Sequence, residues 1–329
     1  MVDPISDDSS MCMKLTKHVG VVLEPSERNQ FDSGATTFGC MFQDSINSDF
    51  YFYYTGSSDA TWRKASIGIA KSKDGVNFIK ESKPAISVGK QSLTPTVFKA
   101  VGRYWMVFAF STDILRRRKI GIAVADAPMG PWEFVKELAH ANQSWEGDSI
   151  DIGPSVARSG GNEYLIYYSN VTSRGIARFL LGQHLHRQIG ILKVTFPKSG
   201  EVTAEKWGKN PLAHLNGQSG TWNESLFCPG YLQLDGRHYL LPAASTYSMV
   251  NPPKQYLGII QDSSRFFEKP SPMQMLLSFE EAKAVLPARG EIAFDTPSPL
   301  LRENEIWLYY AIMDRADGIW KTALSIMKQ

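Results

Sequence analysis

The feature that most constrains the fold is a short aromatic motif that recurs five times along the chain. Each copy is a run of aromatic and β-branched residues behind a turn, which is typical of a β-strand. Successive copies lie between 53 and 75 residues apart. The copies are FYFYYTG (50–56), GRYWMVFAF (102–110), NEYLIYYSN (162–170), GRHYLLPAA (236–244) and NEIWLYYAI (304–312).

A predicted strand lies on either side of every copy, and a fourth strand follows in most of them. The strand before the motif begins with TPTVFKA, GPSVARS, CPGYLQL or TPSPLLR in four copies and with FGCMFQD in the first. The strands after it include SIGIAKS, IGIAVAD, IGILKVT, YLGIIQD and KTALSIM. The fourth strands are predicted at VNFIK, WEFVKE, TAEKWG and RFFEKP, and the fifth copy ends without one.

Five similar four-stranded units with almost no helical periodicity predict an all-β fold, a five-bladed β-propeller. A pair of β-sandwiches is the alternative, but a sandwich gives no reason for this order to repeat. We predict one domain over residues 1–329 in which KHVGVVLEP, near the N-terminus, supplies the missing strand of blade five. The predicted blades span residues 31–80, 91–138, 148–207, 222–269 and 291–329.

Bulk composition excludes several classes of protein. The 329 residues are 43% hydrophobic and carry a formal net charge of +2, which indicates a packed core and gives no support for nucleic-acid binding. No apolar run is long enough to span a membrane, and the N-terminal residues lack the apolar region of a secretory signal. Cys12, Cys40 and Cys228 are odd in number and far apart, which favours free thiols and a cytoplasmic location.

Basic residues are concentrated in the turns between the second and third strands of the blades. These turns share one face of a propeller with the connections that lead into the innermost strands, and loops on a rigid scaffold often carry function. They hold eleven Lys or Arg and four acids. Such a rim indicates either a site for anionic groups or a solvated surface. The turns are residues 56–65, 111–119, 170–188, 245–255 and 313–319.

Acidic residues precede the innermost strands of four blades. Carboxylates that converge in a funnel suit cleavage of a glycosidic bond, in which one protonates the leaving oxygen and another activates water or attacks the sugar. Nearby tryptophans suit stacking on sugar faces. Each acid, taken alone, is equally well explained as a turn cap or an ion-pair partner. The acids are Asp32, Asp148, Asp151, Glu224, Glu291 and Asp295, and the tryptophans are Trp62, Trp145 and Trp222.

The stretches FDSGATTFGCMF, YFYYTGSS and IGIAKSKDGVNF resemble the first blade of the five-bladed propeller glycosidases. This superfamily includes glycoside hydrolase family 43, the invertases and levansucrases, and the mannoside phosphorylases. The resemblance implies an Asp base on blade one, an Asp modulator on blade three and a Glu acid on blade four, which here are Asp32, Asp151 and Glu224.

The chain departs from the superfamily's pattern at the innermost strands. Arabinanase-like members place their acids directly against the strand, as Asp-Pro or Glu-Gly-Pro. Here these positions read Phe38-Gly39, Gly153-Pro154 and Cys228-Pro229, and the candidate acids lie two to six residues upstream. Blade two carries Thr94-Pro95-Thr96, where phosphorylase-like members have Asp-Pro-Arg.

We therefore predict a carbohydrate-active propeller, and our first hypothesis is that it is a glycoside hydrolase. A glycoside phosphorylase or an enzyme of acidic or phosphorylated glycans is an alternative, and a non-catalytic carbohydrate-binding propeller is another. We predict no cofactor; the resemblance implies that calcium can lie in the channel, but no ligand spacing indicates a metal site. The predicted substrate-binding residues are Trp62, Arg63, Asp148, Arg174, Trp222 and Asp295.

Overall fold

A computed structural model describes residues 13–59, 62–171, 186–197, 200–246 and 255–328. This part of the chain is almost entirely β-structure. The exceptions are a one-turn helix, α1 (Phe279–Ala282), and 3₁₀ turns at Ser144–Glu146 and Ala213–Leu215. Helix α1 begins within SFEEAKAVL, where the sequence predicts a short helix, and the Ser278 hydroxyl caps it by accepting a hydrogen bond from the Glu281 amide.

The strands form five four-stranded antiparallel blades, which confirms the predicted five-bladed β-propeller. A single parallel bridge between Ala65 and Gln91 joins the third strand of the first blade to the innermost strand of the second. Blade one contains β2 (Ala35–Gln43), β3 (Phe50–Ser57), β4 (Ala65–Ser72) and β5 (Ile79–Lys80). Blade two contains β6 (Gln91–Ala100), β7 (Arg103–Ser111), β8 (Lys119–Ala125) and β9 (Glu133–Ala139).

The remaining blades follow the same order from the innermost strand outwards. Blade three contains β10 (Ile150–Gly160), β11 (Glu163–Asn170), β12 (Ile189–Thr195) and β13 (Thr203–Lys206). Blade four contains β14 (Ser225–Leu234), β15 (Arg237–Ser245), β16 (Gln255–Asp262) and β17 (Gln274–Leu277). Blade five contains β18 (Ile292–Arg302), β19 (Glu305–Asp314) and β20 (Ile319–Lys328), and its outermost strand is β1 (Leu15–Leu23), from the start of the chain.

The outermost strand of blade four differs from the prediction. RFFEKP contributes no strand, and β17 lies further along the chain. Phe267 in that stretch is fully buried at a φ of 50°, a backbone conformation that interrupts an extended strand. The apolar residues of RFFEKP therefore pack as a turn beneath blade four.

The glycine of the recurrent IGI motif makes room for the aromatic residues of the motif strand. A Cβ atom at Gly68 would lie 2.5 Å from the ring of Tyr54, and one at Gly190 would lie 2.8 Å from the ring of Tyr168. Both tyrosines are fully buried. The glycine thus allows a large ring to lie flat on the neighbouring strand, which explains why the two motifs recur together.

Every innermost strand has an irregularity at the same place, near its start. The pairing with the second strand shifts after Thr37, Leu93, Ile152, Phe227 and Asp295. A β-bulge of this kind bends a strand and redirects a side chain. In four blades the residue after the shift has a positive φ between 43° and 47°: Phe38, Thr94, Cys228 and Thr296. The third blade has Gly153 at this point.

The innermost strands approach one another closely at these bulges. A Cβ atom at Gly153 would collide with the backbone of Cys228 and Pro229 on the next blade. The bulges therefore surround the central axis, and residues beside them from different blades come within reach of one another. Among the described residues, no helix is long and apolar enough to cross a membrane.

Candidate active site

Asp151 is a buried carboxylate beside the bulge of β10, held from two sides. The Thr94 hydroxyl on blade two donates a hydrogen bond of 2.5 Å to it, and the Arg118 guanidinium forms an ion pair with it. The Ile152 amide donates a third hydrogen bond, at 2.9 Å. Arg118 lies in the turn between β7 and β8, so this site joins blade three to blade two.

Asp295 lies beside the bulge of β18 and is partly exposed. The Thr296 amide and hydroxyl donate hydrogen bonds to its carboxylate, at 2.7 and 3.0 Å. Burial raises the pKa of Asp295, and the negative charge of Asp151 raises it further, while Arg187 and the hydrogen bonds from Thr296 act in the opposite direction. Asp151 and Asp295 therefore form one electrostatically coupled pair, although they come from different blades.

Cys228 lies between these carboxylates, at the bulge of β14. Its thiol is buried, and burial raises its pKa well above the ordinary value. Asp295 and Asp151 raise this pKa further, while Arg187 and Arg118 lower it. Charged groups from blades two, three and five thus act on one thiol of blade four, which requires all of them to lie around the central axis.

Arg187 provides a second positive charge, beside that of Arg118, at this opening of the central channel. Its guanidinium lies over the Phe227 ring, 4.0 Å from the centroid. Nε donates to the Asn170 carbonyl at 2.9 Å, and Nη2 donates to the Ser169 hydroxyl at 3.2 Å. Nη2 is also 3.8 Å from the Cys228 sulfur. The sequence placed Arg187 in the basic rim but did not identify it as a site residue.

Glu224 lies at the start of the innermost strand of blade four, four residues before Cys228. It is buried and accepts hydrogen bonds from the Gly220 amide at 2.8 Å and the Ser219 hydroxyl at 3.2 Å. Nδ1 of His186 is 3.3 Å from its carboxylate. Since His186 precedes Arg187, Glu224 lies on the same side of the channel opening as Arg187.

Asp32 is not brought to this cluster. Its buried carboxylate accepts a hydrogen bond of 2.9 Å from the Tyr54 hydroxyl and pairs with Lys80 Nζ at 2.9 Å. Lys80 belongs to β5, the outermost strand of blade one, and also donates to the Glu24 carbonyl. Both partners of Asp32 therefore belong to blade one, on its second and outermost strands, and not to the cluster of Asp151 and Asp295 at the axis.

Blade three repeats this arrangement with a residue that the sequence reading missed. Glu146 accepts a hydrogen bond of 2.6 Å from the Tyr168 hydroxyl and pairs with Lys206 of β13 at 2.7 Å. In both of these blades, one and three, the acid lies 22 residues before its tyrosine. An aromatic ring precedes each acid and packs on that tyrosine: Phe31 on Tyr54 and Trp145 on Tyr168. This common spacing is visible in the sequence and indicates that Asp32 and Glu146 share a structural position.

The three candidate tryptophans have different surroundings. Trp62 is partly buried beside Phe38, with ring centroids 5.4 Å apart, and Phe38 contacts Trp320 at 5.0 Å. Because Phe38 is the bulge residue of blade one, these rings form an aromatic wall at the channel opening. Trp222, in contrast, packs against Tyr256 and the core between blades three and four, and Trp145 packs on Tyr168. Of the three tryptophans, only Trp62 lies against a bulge residue.

The other predicted binding residues lie at the surface or beyond the described chain. Arg63 and Asp148 are exposed. Arg174 lies outside the described residues. Asp295, predicted to bind substrate, belongs to the acid cluster, since the charge of Asp151 acts on its carboxyl.

Acidic partners neutralise much of the basic rim. Several of its cations form ion pairs, some with acids that lie outside the rim turns. The pairs are Arg117 with Asp113, Arg118 with Asp151, Lys119 with Glu137 and Arg315 with Glu291. The excess of positive charge counted along these turns therefore overstates the charge available to a ligand. Within the described ranges, no three His, Cys, Asp or Glu side chains are grouped in a way that would hold a metal ion.

A five-bladed propeller with carboxylates around its channel opening has the architecture of the propeller glycosidases. The sequence model of glycosyl hydrolases family 43 matches residues 43–257, and the chain belongs to this family. No curated protein matches the chain. The match begins after Asp32 and Phe38 of blade one.

Solved structures of family members share the fold at low sequence identity. A thermostable family-43 glycoside hydrolase is 15% identical, with a TM-score of 0.60 over 89% of this chain and 88% of that chain. An endo-arabinase from Bacteroides thetaiotaomicron is 15% identical, with a TM-score of 0.57 over 92% and 97%. An α-L-arabinanase from Cellvibrio cellulosa is 13% identical, with a TM-score of 0.59 over 89% and 91%.

Proposed function

We propose that this protein hydrolyses glycosidic bonds of an oligosaccharide at the channel opening, with Asp295 and Asp151 as the reacting carboxyl groups. The observation that carries the proposal is the coupling of these two carboxyls at the axis in unlike surroundings. Asp151 is ion-paired with Arg118, whereas the pKa of Asp295 is raised. Environments that separate the pKa values of two neighbouring carboxyl groups usually make one group the proton donor and the other the proton acceptor.

In this proposal Asp295 is the proton donor. Burial and the neighbouring charge of Asp151 raise its pKa, which favours the protonated form that a proton donor needs. The proton passes to the glycosidic oxygen as the bond to the anomeric carbon breaks. Asp151 takes a proton from the attacking water, whose oxygen bonds to the anomeric carbon. The reaction therefore adds one molecule of water across the glycosidic bond. Thr94 and Arg118 hold the Asp151 carboxylate in position.

The aromatic wall and Glu224 support the sugar units on either side of the bond. Phe38 and Trp62 present ring faces beside the channel, on which a pyranose or furanose stacks. Glu224, with His186, offers hydrogen-bond acceptors and donors at the same channel opening. Arabinan is the first substrate to test, because two of the similar structures are described as arabinan-degrading enzymes.

A carbohydrate-binding propeller without catalysis is the second candidate. It is favoured by the bulge residues Phe38, Gly153 and Cys228, none of which carries a carboxyl group, although family members place their catalytic acids at these strand positions. This reading predicts that sugar binding survives replacement of both Asp151 and Asp295.

The test is a screen for reducing-sugar release from arabinan, xylan and pectic polysaccharides, with and without inorganic phosphate. We expect turnover by the wild-type protein that does not depend on phosphate and is lost in the double variant Asp151→Asn/Asp295→Asn. The matched control is Asp126→Asn, because Asp126 is exposed in a surface pair with Arg103. Binding without turnover would support the second candidate, and turnover only with phosphate would indicate a phosphorylase.

A further inference from the structure

Arg187 is a fixed guanidinium whose surroundings suit an anionic ligand. Two hydrogen bonds, to the Asn170 carbonyl and the Ser169 hydroxyl, set the plane of its fork, and the Phe227 ring supports one face. The residue is partly buried. A guanidinium that is already oriented loses little conformational freedom on binding, so its hydrogen bonds to a ligand contribute more to affinity.

The charge of Arg187 is not cancelled by an ion pair within the described part of the chain, in contrast to that of Arg118, which is bonded to Asp151. Arg187 acts on the Asp295 carboxyl through its charge, without a hydrogen bond, and lowers the pKa of that carboxyl. Arg187 can therefore pair directly with an anionic group of a ligand.

We infer that Arg187 binds a carboxylate group of the substrate, which makes the substrate an acidic oligosaccharide that contains a uronic acid. This inference rests on the proposed function, since it assigns a substrate class to the same channel opening. A planar carboxylate matches the fork of a guanidinium and accepts two parallel hydrogen bonds.

A carboxylate fits this site better than a phosphate group does. The ligand approaches Asp151 and Asp295 as well as Arg187, because all three act on the Cys228 thiol. A phosphate dianion brings two negative charges into this neighbourhood of carboxyl groups, whereas a uronate brings one. Like charges at short range weaken binding, so the monoanion is favoured.

The test compares oligosaccharides that differ only in the charge of the uronic acid. The probes are trigalacturonate and a glucuronic-acid-substituted xylotriose, each beside its methyl ester, and binding is measured by calorimetry at low temperature with separate turnover assays. We expect at least one acid form to bind roughly 10- to 100-fold more tightly than its ester, as for a hydrogen bond to a charged group. Equal affinity of acid and ester for both probes, or no binding of either acid, would overturn the inference.

Variants then assign the discrimination to Arg187. Arg187→Gln should bind acid and ester within about twofold of each other, and Arg187→Lys should keep the charge but only part of the preference because it lacks the fork. Arg103→Gln is the matched control, since Arg103 forms a surface pair with Asp126 at the start of β7 and should leave the preference unchanged. Melting curves confirm that each variant is folded, and Arg187→Lys keeps the test valid if Arg187→Gln is unstable.

This design separates failure of the inference from failure of the proposed function. Turnover of neutral arabinan with no preference for acidic probes would leave hydrolysis standing and remove the role of Arg187 in uronate binding. Tight, Arg187-dependent binding of the acid form without turnover would leave the inference standing and remove the hydrolase proposal.

Discussion

Asp32 of blade one and Glu146 of blade three occupy the same structural position. Each carboxylate accepts a hydrogen bond from a tyrosine of the second strand and pairs with a lysine of the outermost strand. These contacts fasten the connection before the innermost strand to the outer edge of its blade. These contacts indicate a structural role for Asp32, and our proposal therefore assigns the chemistry to the carboxyl groups at the axis.

Replacement of either acid by its amide should lower the free energy of unfolding. We expect losses of about 2 kcal/mol for Asp32→Asn and about 3 kcal/mol for Glu146→Gln, because a buried lysine loses its counter-charge. The larger loss belongs to Glu146, whose partner Lys206 is 11% exposed, whereas Lys80 is 19% exposed. Urea unfolding of the two variants beside Asp126→Asn measures this. Unchanged stability in both would refute the shared structural role.

Asp295→Asn should stabilise the protein at neutral pH while it removes activity. The pKa of Asp295 is raised in the folded state, so the folded protein binds more protons than the unfolded chain as the pH passes between the two pKa values. The free energy of unfolding of the wild type therefore falls as the pH rises through that interval. The amide does not titrate and lacks this penalty. Chemical unfolding should show the variant more stable than the wild type at pH 8, with a smaller difference at pH 4.5; a constant difference would contradict the raised pKa.

Trp62 and Trp222 should respond differently to substitution, although both are candidates from the sequence. Trp62→Ala removes a ring from the wall beside Phe38 and should raise KM about tenfold, near 1.4 kcal/mol, with little change in kcat. Trp222→Ala removes core packing against Tyr256 and should lower stability by about 3 kcal/mol. Kinetics and unfolding curves for both variants test this contrast, which fails if Trp222→Ala is folded normally and raises KM.

The two buried thiols should be inert in the folded protein. Burial raises the pKa of Cys40 to about 11 and that of Cys228 well above its ordinary value, and the thiolate is the reactive form. In a Cys12→Ser background, a chromogenic disulfide reagent at pH 8 should label both cysteines only as fast as the protein unfolds. Rapid labelling without unfolding would show that the channel exposes Cys228 or Cys40.

The repeat of aromatic strands was sufficient to predict the propeller, because each blade is built from the same hydrophobic units. The site was harder to predict, since a sequence does not tell towards which side of a blade a loop carboxylate turns. Asp32 and Asp151 both precede the bulge of their innermost strand, yet Lys80 and Tyr54 hold the first within blade one, while Thr94 and Arg118 hold the second at the axis. These partners come from distant parts of the chain.

Arg187 illustrates a different limit of sequence reading. It was one basic residue among eleven in the rim turns, and only the folded structure shows which of them are paired with acids. The 22-residue spacing from Asp32 to Tyr54 and from Glu146 to Tyr168 was, in contrast, visible in the sequence and indicates that Asp32 and Glu146 occupy equivalent positions.

The most direct test of the central claim compares Asp295→Asn with Asp32→Asn in one hydrolysis assay on the substrate found in the screen. Activities are expressed per folded molecule, from unfolding curves at the assay temperature. We predict that kcat/KM of Asp295→Asn falls by roughly 10²- to 10⁴-fold, whereas that of Asp32→Asn stays within about threefold of the wild type once its lower stability is taken into account. A folded but inactive Asp32→Asn protein beside a fully active Asp295→Asn protein would contradict the account and return the catalytic role to blade one.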